Sequence, residues 1–365
     1  MRKSLISLPI TAISLTLLGA VPAHAAHPTT PGTAATPAPG QEHGAGHGAP
    51  APTGAPPADP SAAPSGGPAP GARTSQPQTG QGQETPSQGN GAPSRGRGKA
   101  VFLAARLSGA NEVPASAGDA DGSGTALVRV QGNRVTFALS WNGITAPTLG
   151  HIHRGGAGVN GDVAVPLFTS AMPATVTAAA GAVTVPDPTI ADGLRNNPGN
   201  WYVNLHTAEN PKGAVRAQLT PLGGRSDILR LLKTGGKRAF LSGDQEVPVK
   251  GGPAVGDPDA RAVAFVRPSP VRSSAGGGSV RFSMAWIGVT PSLAHIHRGG
   301  FGTNGPVTVN LFTTAVPSTI FAVSGTATGV DPGVVQGIRT NPRNWYANLH
   351  STEFPGGAVR GQLND

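Results

Sequence analysis

The chain has 365 residues, of which 12% are charged, 37% hydrophobic and 4% aromatic, and it carries a net charge of +9 with no cysteine. The missing thiols exclude disulfides, thiolate catalysis and every cysteine-ligated zinc or iron–sulfur site, so any metal chemistry must use His, Asp and Glu. The basic residues are scattered and without interleaved aromatics, which argues against nucleic acid as a partner and suits weak attraction to anionic envelope polymers.

Arg2 and Lys3 precede an apolar run from Leu5 to Val21, and Ala23-His24-Ala25 supplies the small residues of a cleavage site. The pattern predicts a signal peptide over 1–25, with the mature protein secreted or extracytoplasmic, in the periplasm or cell envelope. The apolar run is shorter than the ~20 residues a membrane helix needs, so no transmembrane segment is expected in the mature chain. Residues 26–99 are Pro, Gly, Ala, Ser, Thr and Gln with few large apolar groups, the composition of a disordered stalk that cannot offset its ordering entropy.

Beyond the stalk the chain repeats itself. Leu107-Ser-Gly-Ala-Asn-Glu-Val-Pro114 returns as Leu241-Ser-Gly-Asp-Gln-Glu-Val-Pro248, and His151-Ile-His-Arg-Gly-Gly156 as His295-Ile-His-Arg-Gly-Gly300. Asn200-Trp-Tyr-Val-Asn-Leu-His206 returns as Asn344-Trp-Tyr-Ala-Asn-Leu-His350, and Gly213 to Leu219 as Gly357 to Leu363. The offset is 134 at the first block and 144 at the others, which places a ten-residue insertion around Ser273 to Ser279. These spacings predict one domain over 100–221, a linker over 222–236, and a second domain over 237–365.

Within a copy, period-two segments predict strands over 101–107, 124–130, 134–141, 150–154, 162–168, 200–206 and 214–219, with Gly132-Asn133 as a hairpin turn. Asp187, Pro188 and Pro198 bound one short helix, matched by Asp331, Pro332 and Pro342, while Ser226 to Leu232 reads as a short helix or packed linker. The fold class is therefore all-β, two tandem antiparallel β-sandwich domains, each with one short helix.

Six histidines fall three to a copy: His151, His153 and His206, then His295, His297 and His350. Alternate strand residues share a face, so each His-x-His pair points one way. Tyr202, Asn204 and His206 share a face opposite Trp201, Val203 and Leu205. If the two strands are neighbours, three imidazoles converge, a set that holds copper or zinc with an open position. Uptake should then weaken as pH falls through roughly 6.5, the ordinary histidine value. The same pattern also suits structural histidines at a sheet rim. Arg154 to Gly161 lacks the ending of a phosphate loop and reads as a turn that aims the histidines. Glu209 and Glu353 are placed to accept from a ligand imidazole or to lie exposed, with Arg216 and Arg360 as their counter-charges; Glu112 and Glu246 read as structural. No nucleophilic triad, paired-carboxylate pattern or cofactor fingerprint is present, so the sequence offers no catalytic residues.

Taken together, the blocks Leu107–Pro114, Gly150–Gly161, Trp201–His206 and Gly213–Leu219, and their second copies, resemble the CHRD (chordin) domain family. The resemblance implies an extracellular module, known from a growth-factor antagonist and from secreted microbial proteins, with a layout similar to Cu/Zn superoxide dismutase. The chain departs from a dismutase in having three histidines per copy, no bridging fourth, no zinc cluster and no cysteine. Three readings stay open: a non-catalytic metal-binding module for copper or zinc, a metal-free module that binds an extracellular protein or polymer from a flexible stalk, and a dismutase-like redox enzyme. The stalk reading predicts that mild proteolysis removes residues 26–98 and leaves a two-copy fragment with an unchanged melting temperature; a tail as protease-resistant as the repeats would contradict it.

Overall fold

The computed structural model describes residues 98–270 and 277–365. The expected signal peptide, nearly all of the expected stalk and most of the expected insertion lie outside the described residues.

The first copy contains strands β1 (Val101–Ser108), β2 (Ser123–Gln131), β3 (Arg134–Asn142), β4 (Leu149–Arg154), β5 (Val163–Phe168) and β6 (Val176–Thr184). Helix α1 (Pro188–Asn196), strands β7 (Trp201–His206) and β8 (Val215–Gln218), and a two-residue β9 (Thr220–Pro221) complete it. The second copy runs β10 (Lys237–Ser242), β11 (Arg261–Ser269), β12 (Gly278–Ile287), β13 (Leu293–Arg298), β14 (Val307–Phe312), β15 (Ile320–Val330), α2 (Pro332–Thr340), β16 (Trp345–His350) and β17 (Val359–Gln362). All pairing between these strands is antiparallel, in the order β5-β4-β7-β8 for one layer and β1-β2-β3-β6 for the other, with β1 touching β8 at Ser108↔Arg216. The second copy repeats this order as β14-β13-β16-β17 and β10-β11-β12-β15.

Period two decides which side chains meet between the layers. Leu103, Val128, Phe137, Leu139, Ile152, Val165, Leu167, Trp201, Val203 and Leu205 are all buried. Helix α1 begins where its sequence marks it: Asp187 Oδ1 accepts from the Thr189 amide, and Pro188 occupies the first turn. Gly193 lets the helix lie on Trp201, since a Cβ there would sit 2.6 Å from the indole.

Eight main strands per copy exceed the seven expected. The additional one is β6, and β15 in the second copy. Val176-Thr-Ala-Ala-Ala-Gly-Ala-Val-Thr184 is rich in Ala and Gly, which strands disfavour, and shows no alternation because both of its faces are covered. Its outer face, Ala178 and Ala180, clusters with Ala138, Ala322 and Leu232. Leu232 ends a 3-10 turn, Ile228–Leu232, capped by Asp227, so the segment expected as a helix or packed linker is both. β6 also pairs with β15, joining the two copies into one sheet. Leu232→Ala should cost about 2 kcal/mol in urea unfolding of the whole unit; an unchanged midpoint would show that the linker does not stabilise the sheet.

Candidate metal centre

Pairing of β4 with β7 sets Leu149 opposite His206, His151 opposite Asn204 and His153 opposite Tyr202. Partners across an antiparallel pair project to the same face. The three histidines named from the sequence therefore meet: one ring nitrogen from each of His151, His153 and His206 lies within 4.8 Å of the others, and so it is for His295, His297 and His350. Ile152 and Ile296, between each pair, are fully buried in the opposite direction.

Backbone carbonyls fix which nitrogen faces inward. His153 Nδ1–H donates to the Gly161 carbonyl at 2.9 Å and His206 Nδ1–H to the Pro211 carbonyl at 3.1 Å. Both rings are thereby held in the tautomer whose Nε2 lone pair points to the centre. In the first copy His151 Nδ1–H donates to His206 Nε2 at 3.2 Å. In the second, His297 and His350 donate to Gly305 and Pro355, both at 2.9 Å. There His295 Nδ1, His297 Nε2 and His350 Nε2 are all buried without a partner, as is His153 Nε2 in the first copy. Such atoms are costly to bury unless something satisfies them.

The glycine-rich turn does aim the histidines. The Gly161 amide donates to the Tyr202 hydroxyl at 3.2 Å, and Tyr202 stacks on His153 with ring centroids 4.8 Å apart and planes 6° from parallel. Arg216 lies over the other face of Tyr202, 3.6 Å from its centroid, and donates to Asn160 Oδ1 and the Val159 carbonyl. Asn160 Nδ2 continues to the Val113 carbonyl. The second copy repeats this stack as Arg360, Tyr346 and His297, with Asn304 bridging to Val247.

Glu209 and Glu353 are exposed, and the carbonyls of Pro211 and Pro355 take the role offered to them. Arg216 and Arg360 turn instead onto the tyrosines. The spacing of titratable groups overlooked Asn160, Tyr202 and Pro211, although each recurs in the second copy. Glu112 is buried, accepts from Asn204 Nδ2 at 3.4 Å, and lies against Gly213, where a Cβ would come within 2.6 Å of its oxygen. Glu246 and Asn348 repeat the contact at 2.6 Å.

Burial, with the neighbouring imidazoles adding to it, pushes His151 and His295 down to about 4. It also lowers His153, His206, His297 and His350, chiefly by desolvation. Desolvation therefore favours the neutral form of every ring in both sets, most of all at His151 and His295. Burial raises Glu112 and Glu246 to about 7, against the opposing pull of Arg216 and Arg360.

Comparison with protein-family models finds the CHRD domain twice, over residues 103–219 and 238–363. Neither the curated proteins nor the solved structures compared with the chain include a match.

The two carboxyls make a stability prediction. Below about 4.5 folded and unfolded chains both hold these protons; as pH rises the unfolded chain releases them first, so stability falls towards pH 7. Glu112→Gln with Glu246→Gln removes this loss. The melting temperature of the variant should gain on the wild type between about pH 4.5 and 7 and level off above, and a difference constant across that window would contradict the buried-carboxyl assignment.

Proposed function

The chain belongs to the CHRD domain family, and on that premise we propose that it is an exported, non-catalytic protein in which each copy is a metal-binding module. His151, His153 and His206 hold one ion, and His295, His297 and His350 hold a second, copper or zinc. The observation that carries this reading is the convergence of three imidazole nitrogens in both copies, with two rings in each turned inward by carbonyl bonds. Tautomers fixed from outside and lone pairs unpartnered inside are what a metal requires of a histidine set. A cation there would satisfy the partnerless nitrogens at once.

The donor set is all-imidazole and leaves a further position open, which suits Cu(II) and Zn(II), with Cu(II) favoured at equal availability. The protein's own contribution is rigidity: the Arg–Tyr–His stack and the turn at Asn160-Gly161 hold His153 in place before any ion arrives. The signal-peptide pattern of the sequence supports a module that works outside the cytoplasm, in copper or zinc handling. A second reading, a metal-free interaction module, is favoured by Phe301 and Phe240, 78% and 56% exposed, which flank a groove with Arg343 and Gln362.

Titrating metal-free, untagged protein with Cu(II) should saturate near two ions per chain, and His153→Ala with His297→Ala should abolish uptake. Because burial lowers all six imidazoles, uptake should fall off at a lower pH than the ordinary histidine value of roughly 6.5 and be lost by about pH 4, where His151 and His295 protonate. Equal uptake by wild type and variant would show that the histidines are structural and leave the interaction module standing.

A further inference from the structure

β6 and β15 meet about a two-fold axis. Val176 pairs with Gly325 and Gly181 with Ile320, and the 144-residue offset between the copies converts either pair into the other. Ala178 with Ser324 and Ala180 with Ala322 are related in the same way, and Ala179 with Val323, equivalent residues of the two copies, sit on the axis. The flanking bonds are reciprocal too. The Ala182 amide donates to the Thr319 carbonyl at 3.0 Å and the Thr326 amide to the Thr175 carbonyl at 2.9 Å. Thr175 Oγ1 donates to the Leu311 carbonyl and Thr319 Oγ1 to the Leu167 carbonyl, at 2.5 and 2.7 Å. One patch of the repeat thus contacts the same patch of its twin, which is the defining property of an isologous dimer interface.

The residues fit that role on both sides. A Cβ on Gly325 would lie 2.1 Å from the Thr175 carbonyl, and one on Gly181 2.6 Å from the Thr319 carbonyl, so both copies keep a glycine where the other's backbone approaches. Without the twin, β6 would be an open sheet edge presenting unpaired amides and carbonyls, with apolar Val176 and Ala179 behind it. With it, β1-β2-β3-β6-β15-β12-β11-β10 form one eight-stranded sheet over a single contiguous core.

We propose that the β5–β6 end of the repeat is a homotypic docking surface whose partner is a second copy of the repeat, so that the units 100–221 and 237–365 form a dimer that the linker concentrates but does not create. The linker raises the local concentration of the two halves, and its 3-10 turn adds a cover over the seam. This assignment does not depend on metal binding.

The test uses the full chain with a specific protease site at the exposed Gly223–Gly224, in the presence of a metal chelator. After complete cleavage the two halves should elute together on size exclusion at the mass of the uncut protein. Elution as two separate species, folded or not, would overturn the proposal. Thr175→Val with Thr319→Val leaves the core intact but strands two carbonyls, so its cleaved halves should separate at a concentration about tenfold higher or more. Halves held as tightly in that variant as in the parent would overturn the placement of the association at this seam.

Discussion

The antiparallel register between β4 and β7 is the constraint from which the site follows. Because side chains alternate strictly, the register that sets Leu149 opposite His206 puts His151 and His153 on one face with Tyr202, Asn204 and His206 and brings the three imidazoles level. A slip of one residue would drive both imidazoles into the core and expose Ile152. Apolar burial forbids that slip: Ile152, Val203 and Leu205 are fully enclosed on the other face. The hydrophobic pattern of the strand therefore positions its polar chemistry, and it does so twice.

A polar face folded inside a small sandwich must be satisfied locally, and the chain does this with loops. The turn over Asn160-Gly161 takes the outward nitrogen of His153, the loop at Pro211 takes that of His206, and the block at Glu112 covers Asn204. Arg216 ties down the first of these loops, Asn160 ties the Glu112 block through the Val113 carbonyl, and Asn210 ties the Pro211 loop to the Ala117 carbonyl. What remains unsatisfied is concentrated at the inward nitrogens and at the Glu–Asn pair. Apart from Ser226 Oγ, the unsatisfied side-chain atoms among the described residues gather in these two clusters, which supports the proposed metal sites.

The two copies are joined by the same logic of satisfied backbone. β6 has one partner within its own copy and needs another, and its small residues let the twin's strand and the linker turn come close. Larger side chains would pack the core no better and would keep the copies apart. The seam thus explains an Ala- and Gly-rich strand that propensity alone disfavours.

Seven strands, both helices with their Asp caps, the hairpin at Gly132-Asn133 and the identity of the histidines were legible because they depend on local periodicity, turn chemistry and repetition. Strand β6 escaped because a segment covered on both faces shows no alternation, and the cover comes from the linker at Leu232 and from the other copy at Ala322, both remote along the chain. The same limit applied at the site. The sequence by itself determined that three histidines per copy stand on two strands and which faces they share. Only the tertiary structure decided that those strands are neighbours, that Pro211 rather than Glu209 holds His206, and that Arg216 stacks on Tyr202 instead of pairing with a carboxylate. Strand pairing and loop closure are long-range, and no spacing along the chain encodes which carbonyl a buried imidazole will find.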